Sequence, residues 1–191
     1  RIALELARDV VNVLAGRPAS GAVNAPRQEG GDAKRANAFA DLAFRMGRMM
    51  PQLFAGSVGG ELALALNGDV AELDAEPFVA ALLAGALPLI TDRRISIVNA
   101  VGVAAELGVN VTVQRDAAAE TASLALASRE HRIVGTAGAA GARIIAIDAY
   151  ALDAPPTGTM LLTRHRDVPG MVGKIGTILG AANVNISTMQ V

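Results

Sequence analysis

Between Val109 and Leu152 the chain carries a series of strand-like runs: "VNVTVQRD", "TASLALASRE", "HRIVGTAG" and "RIIAIDAYAL". The first three follow one another at about ten-residue spacing, and each combines β-branched residues with alternating polarity. Upstream, "ELALALNGD" alternates Leu62, Leu64 and Leu66 and closes on an Asn-Gly turn signal. Strands and helices therefore occur without strict alternation. That pattern predicts an α+β domain, a sandwich with helices on one face of a largely antiparallel sheet. The glycine-rich "GTAGAAGA" at 135–142 links two of the strand-like runs and leads into no helix. It reads as a hairpin connection rather than a phosphate loop.

Helical periodicity frames these strands. "RIALELARDVVNVLAG" spaces Ile2, Leu6, Val10, Val13 and Leu14 as one helix face, and Gly16 with Pro18 ends it. "RPASGAVNAPRQEGG", residues 17–31, reads as a linker. A long helix is expected from Asp32, a plausible N-cap, to about Phe54, with Phe39, Leu42, Ala43, Met46, Met49, Met50 and Leu53 on its apolar side. "EPFVAALLAGALPLI" predicts a helix with an early proline. "ISIVNAVGVAAELG" predicts a second one, stopped by Gly108. Pro155-Pro156 marks a boundary, after which Thr157–Val191 reads strand, helix, strand. The core must be built from Ala, Val, Leu and Ile, because 52% of residues are hydrophobic but only 3% aromatic.

Composition removes several kinds of chemistry. With Lys+Arg 17 against Asp+Glu 18, nothing electrostatic favours nucleic acid or an anionic membrane. The absence of cysteine excludes disulfides and thiolate zinc sites, and a total of 2 histidines excludes a three-histidine metal centre. No G-x-G-x-x-G follows a strand, and no Ser, His and acid fall into a triad motif. His131, between Glu130 and Arg132, reads as a solvated turn residue. Glu120 and Glu130 have no visible acid–base partner, so these residues alone do not make an enzyme. No apolar stretch reaches the roughly 20 residues of a membrane span, and the expectation is a cytoplasmic protein cut from a larger polypeptide.

The terminal stretch "RHRDVPGMVGKIGTILGAANVNISTMQV" carries more. Asp167 precedes Val168-Pro169-Gly170 at a helix start, where its plain role is an N-cap worth about 1 kcal/mol. The same physics serves a ligand. Free N–H groups of a first helical turn attract a carboxylate, and an acidic side chain beside them can hold an ammonium. Together they would grip both ends of an amino-acid zwitterion. Asn185, at the start of the return strand, offers both a donor and an acceptor, and equally suits a turn after the helix.

These residues carry a family resemblance. "LLTRHRDVPGMVGKIGTILGAANVNISTMQV" resembles the first half of an ACT domain, the ferredoxin-like βαββαβ module that binds amino acids and regulates metabolic enzymes. "ARDVVNVLAGRPASGAVNAP" resembles the last helix and exit of the catalytic part of the D-3-phosphoglycerate dehydrogenases. The region between resembles the intervening domain of the long form of those enzymes, best at "ISIVNAVGVAAELGVNV". The resemblance divides the chain into a catalytic-domain exit (residues 1–26), an intervening domain (27–155) and a truncated ACT half (156–191).

That resemblance implies a serine site formed by His165, Asp167 and Asn185 with the backbone around Pro169 and Gly170. The effector would lie between ACT domains of neighbouring subunits and exert feedback inhibition. It also implies an anion-binding intervening domain, with Arg143 in place of a basic ligand and Pro155 near where a second basic ligand would stand. Self-association through both regulatory domains follows from the same likeness. The parent would be an NAD-dependent oxidoreductase whose nucleotide-binding fold and catalytic Arg, Glu and His precede Arg1, so that no catalytic, cofactor or metal-binding residue is expected here. The second ACT half would follow Val191. Two other readings stand beside this one: an amino-acid sensor or regulatory part of another enzyme, and an oligomerisation module without a working effector site.

Overall fold

The computed structural model of the protein describes residues 7, 10, 11, 33–138, 141–166 and 168–190. Positions 7, 10 and 11 are helical, as the opening periodicity predicts, whereas the linker at 17–31 and the cap Asp32 lie outside the described residues. The chain divides after Pro156 into two compact units. Among the described residues no helix is long and apolar enough to cross a membrane.

In the first unit the long helical pattern forms α1, Ala33–Leu53, and buries Ala36, Phe39, Leu42, Ala43, Met46, Gly47 and Met50 along one stripe. Strand β1, Glu61–Asn67, buries Leu62, Leu64 and Leu66 on alternate positions. A fully buried leucine contributes about 1.5–3 kcal/mol. After Asn67 the structure differs from the turn signal in the sequence. Gly68, at φ 68°, opens a 3-10 helix, Gly68–Glu72, rather than a hairpin. A β-carbon on Gly68 would lie 3.0 Å from the Ala122 nitrogen, so the left-handed glycine lets two loops approach closely.

Helix α2, Glu76–Ala86, follows with proline in its first turn, and α3, Ala100–Glu106, is shorter than the expected "ISIVNAVGVAAELG" helix. Asn99 causes the shortening. Its Oδ1 accepts from the Ser96 main-chain N–H at 2.7 Å, and its Nδ2 donates to the Arg94 carbonyl at 3.0 Å. These local bonds replace a helical turn before α3. The helix ends in a Schellman motif. Gly108, at φ 70°, donates to Ala105, and Val109 donates back to Ala104 at 2.8 Å.

Five further strands complete the sheet: β2 (Asn110–Asp116), β3 (Ser123–Ser128), β4 (His131–Gly138), β5 (Gly141–Ile147) and β6 (Tyr150–Ala154). Their order is β2-β1-β3-β4-β5-β6. Only β1 and β2 are parallel, with the crossover through α2 and α3 that parallel pairing demands; all other pairs are antiparallel. The expected largely antiparallel sheet is present. The run "RIIAIDAYAL", however, is two strands joined by a turn at Asp148-Ala149, because Asp148 takes φ 50°. Its carboxylate accepts from the Arg132 main-chain N–H at 2.8 Å, and its own N–H donates to the Arg132 carbonyl at 2.7 Å. Aspartate tolerates this left-handed conformation better than most residues.

The helices meet with almost nothing between them. A β-carbon on Gly47 of α1 would lie 2.1 Å from the Leu82 carbonyl oxygen of α2, and one on Gly85 of α2 would lie 2.1 Å from the Phe44 carbonyl oxygen. Gly135 on β4 sits beneath Leu42 in the same way, with 2.7 Å from a β-carbon to Leu42 Cδ1. The buried residues of the helices and of β1, β3, β4 and β5 form one cluster.

In the second unit, helix α4 spans Met171–Ala181 and has no buried residue. The strands expected on either side of it are absent among the described residues of 157–190. A strand exists only through ladder hydrogen bonds, and the two strands of a split βαβ unit flank a gap that a third strand fills. No described residue of this unit supplies that third strand, and Leu161, Leu162, Val184 and Ile186 are exposed.

Two predictions concern the first unit. Gly85→Ala forces apart two backbones and should destabilise it by about 1–3 kcal/mol. Gly102→Ala on α3, where a β-carbon meets nothing within 4 Å, should stabilise it by about 0.5–1 kcal/mol. Urea unfolding of both variants checks the opposed signs; equal effects would mean that the helix crossing does not set the tolerance. At the β5–β6 turn, Asp148→Ala combines the left-handed cost of about 1–2 kcal/mol with loss of the carboxylate bonds. Asp148→Asn, which tolerates that conformation, should lose less, read as the difference in urea midpoints.

Candidate functional site

The residues singled out for ligand binding lie around α4. Gly170, at φ 88°, is the N-cap of this helix and offers no side-chain cap. The first intrahelical bond runs from the Lys174 N–H to the Gly170 carbonyl at 2.9 Å. By helix geometry the N–H groups of Val172 and Gly173 in the first turn have no partner within the helix. They carry the positive end of its dipole. A left-handed residue directly before this turn favours glycine, which explains why Gly170 follows Pro169 here.

His165 is exposed, and its Nδ1 lies 2.9 Å from the Arg166 carbonyl, to which it donates. Asp167 lies outside the described residues. Pro169 and Asn185 are exposed. Asn185 follows a Schellman end built on Asn183 at φ 56°. Asn183 donates to the Gly180 carbonyl at 3.0 Å and Val184 to that of Leu179 at 2.9 Å. The "AANVN" signal for a helix end therefore belongs to Asn183, which leaves the Asn185 side chain outside the cap. Among the described residues no hydrogen bond joins His165 to Asn185. The surroundings of α4 thus hold unclaimed helix N–H groups and exposed polar side chains.

Arg143, the residue read as an anion ligand, stands in the first unit with its guanidinium engaged. Its Nε donates to Asp153 Oδ1, and its Nη2 donates to the Asp153 main-chain carbonyl at 2.7 Å. The hydrogen bond to Asp153 raises the pKa of Arg143 above the usual guanidinium value; desolvation opposes this and the Asp153 charge adds to it. This pair ties β5 to β6.

The sequence gave no sign of a cluster around His131. The ring stacks on Phe54 with centroids 3.7 Å apart and planes 10° from parallel, and Nδ1 lies 3.0 Å from Asp148 Oδ2. A carboxylate only accepts, so Nδ1 is the donor. The solvated turn residue is in fact a half-buried clamp between the end of α1 and the β5–β6 turn. Nothing near Phe54 in sequence points to position 131, so no local signal could have revealed it. Among the described residues no group of three or more His, Asp or Glu is placed to hold a metal.

Comparison with known proteins adds identity to this geometry. Residues 35–148 match the sequence model of the D-3-phosphoglycerate dehydrogenase intervening domain. A D-3-phosphoglycerate dehydrogenase of Synechocystis is 35% identical over 100% of this chain and 36% of its own length. Those of Archaeoglobus fulgidus and Bacillus subtilis are 30% and 28% identical, again over 100% of this chain and 37% of their own lengths. The chain therefore spans about a third of the length of the curated relatives it matches. A sheet and helix layer that coincide with the matched region, within a likeness running the full length of the chain, show that this protein belongs to the D-3-phosphoglycerate dehydrogenase family and contains its intervening domain.

Proposed function

We propose that this chain is the regulatory C-terminal part of an NAD-dependent enzyme that oxidises 3-phosphoglycerate on the way to serine, and that it binds serine for feedback inhibition. The observation that carries this reading is the full-length likeness to proteins named D-3-phosphoglycerate dehydrogenase. On this reading the protein is cytoplasmic and self-associates, and the stretch 156–191 is the first half of an ACT domain. No G-x-G-x-x-G follows a strand in this sequence, so its residues do not fit NAD. The dinucleotide would be held by the portion of the relatives outside this span, and no catalytic step is assigned to these residues.

The chemistry of the effector site follows from the start of α4. Serine is a zwitterion at neutral pH. Its carboxylate would accept from the first-turn N–H groups that begin after Gly170. Asp167, next to that turn in sequence, would hold the ammonium, and the Asn185 amide would complete the site with a donor and an acceptor. His165, on the approach to the turn, would close its other side. Serine would then inhibit by binding one arrangement of the subunits better than another, which biases the distant catalytic site.

Asp167→Ala in the full-length enzyme should weaken serine binding by at least about tenfold, or about 1.4 kcal/mol, with an unchanged circular-dichroism spectrum. Isothermal titration with serine measures it. Undiminished serine affinity in the variant removes Asp167 from the site and with it this reading. A full-length polypeptide that binds serine but oxidises no phosphoglycerate would favour the sensor instead.

A further inference from the structure

The first unit ends on an unusual tether. The main-chain carbonyl of Pro156 accepts a 2.9 Å hydrogen bond from Arg45 Nη1 on α1, across 111 residues of sequence. Arg45 is oriented in turn by Asp41, one helical turn earlier, whose Oδ2 accepts from Nε at 2.7 Å. Pro156 is buried, while Pro155 and Thr157 on either side are exposed. Each proline of Pro155-Pro156 fixes its own φ, and a residue before proline is held extended. The carbonyl that Arg45 grips therefore sits at the end of a stiff arm. Just past it, Gly158 takes φ 68° and provides a point of bending. The chain divides into its two units between these features.

We propose that Arg45 is a latch that fixes where the terminal unit leaves the first unit, and that a ligand-driven movement of the terminal unit is delivered to α1 through this bond. Without the latch, the last fixed residue would retreat to Ala154 at the end of β6, and the stretch beyond would swing without loading the domain. With it, a displacement acts on the guanidinium, and so on the helix that packs against α2 and the sheet. A close-packed interior passes such a displacement on rather than absorbing it. Arg45 is thus a positioning residue that touches no ligand itself. Only the identity of the ligand, serine, rests on the function proposed above.

The first test is local and needs no ligand. Prolines have no amide proton, so the Thr157 N–H is the first reporter after the latch. Its 15N order parameter should be about 0.85 in the wild-type chain and fall below about 0.6 in Arg45→Met, with the shifts of β1–β5 unmoved. Equal order at Thr157 in the two proteins overturns the latch. Should Arg45→Met disturb the sheet, Asp41→Ala keeps the guanidinium and loosens its orientation. A drop at Thr157 is expected there too, and no change overturns the proposal. In the full-length enzyme, Arg45→Met should keep serine affinity within about twofold while inhibition weakens by at least about tenfold, because coupling and binding are separable. Undiminished inhibition overturns delivery through Arg45. A wild-type enzyme that serine does not inhibit would instead overturn the serine reading, and the latch would stand or fall on the order at Thr157.

Discussion

The first unit is organised by a contact in which two helices touch through their backbones. Gly47 faces the Leu82 carbonyl, and Gly85 faces that of Phe44, with no room for even a methyl group at either place. Such an approach compensates for a sequence with only 3% aromatic residues. Interiors reach crystal-like density either by filling space with large side chains or by leaving little space to fill. Here Ala36, Ala43, Ala81, Ala84 and Ala86 are all buried, and the helices close on them. The few large groups, Phe39 and Phe78 among them, are fully enclosed as a consequence. Gly135 extends the arrangement to the sheet by admitting Leu42 against β4.

Much of this was legible from periodicity. The stripe of α1, the alternation of β1 and the early proline of α2 are repeated signals, each confirmed several times within its own segment. The misreadings share a different cause. Each turned on a single residue whose side chain or φ competes with the regular pattern. Asn99 takes the bonds that a longer α3 would need. Asp148 breaks one apolar run into two strands by entering the left-handed region. Asn67-Gly68, a hairpin signal by composition, leads into a 3-10 helix because the partner of β1 comes later in the chain, at β2 on one side and β3 on the other. Local propensity cannot see which strand will be the neighbour.

The candidate site was legible to a similar depth. The D-x-P-G run locates a helix start, and the structure has Gly170 as its left-handed cap. What the sequence could not assign is which asparagine closes the helix. "AANVN" contains two, and the Schellman bonds at Asn183 settle it in favour of the first. The flanking strands were read from apolar residues that remain exposed, among them Leu161 and Ile186. Their β-propensity is real, but propensity on a strand expresses fit to neighbours. The clamp of His131 on Phe54 was out of reach, because its members are distant in sequence and none belongs to a motif.

Three arginines clarify how the first unit treats anions. Arg45 donates to the Pro156 carbonyl, Arg115 to those of Ala71 and Leu73, and Arg143 to that of Asp153. Each carbonyl lies where the chain leaves, or is about to leave, regular structure, where the regular ladder no longer supplies its partner. A planar fork of donors suits that task better than an ammonium, since it can serve a carbonyl and a carboxylate at once, as Arg45 and Arg143 do. An incoming anion at Arg143 would have to displace a carboxylate that is covalently part of the neighbouring strand and always at hand. At the start of α4 no such competitor belongs to the described residues, and the first-turn N–H groups stand open. The same electrostatic attraction is therefore closed off where the sheet needs its arginines and left available where the terminal helix begins.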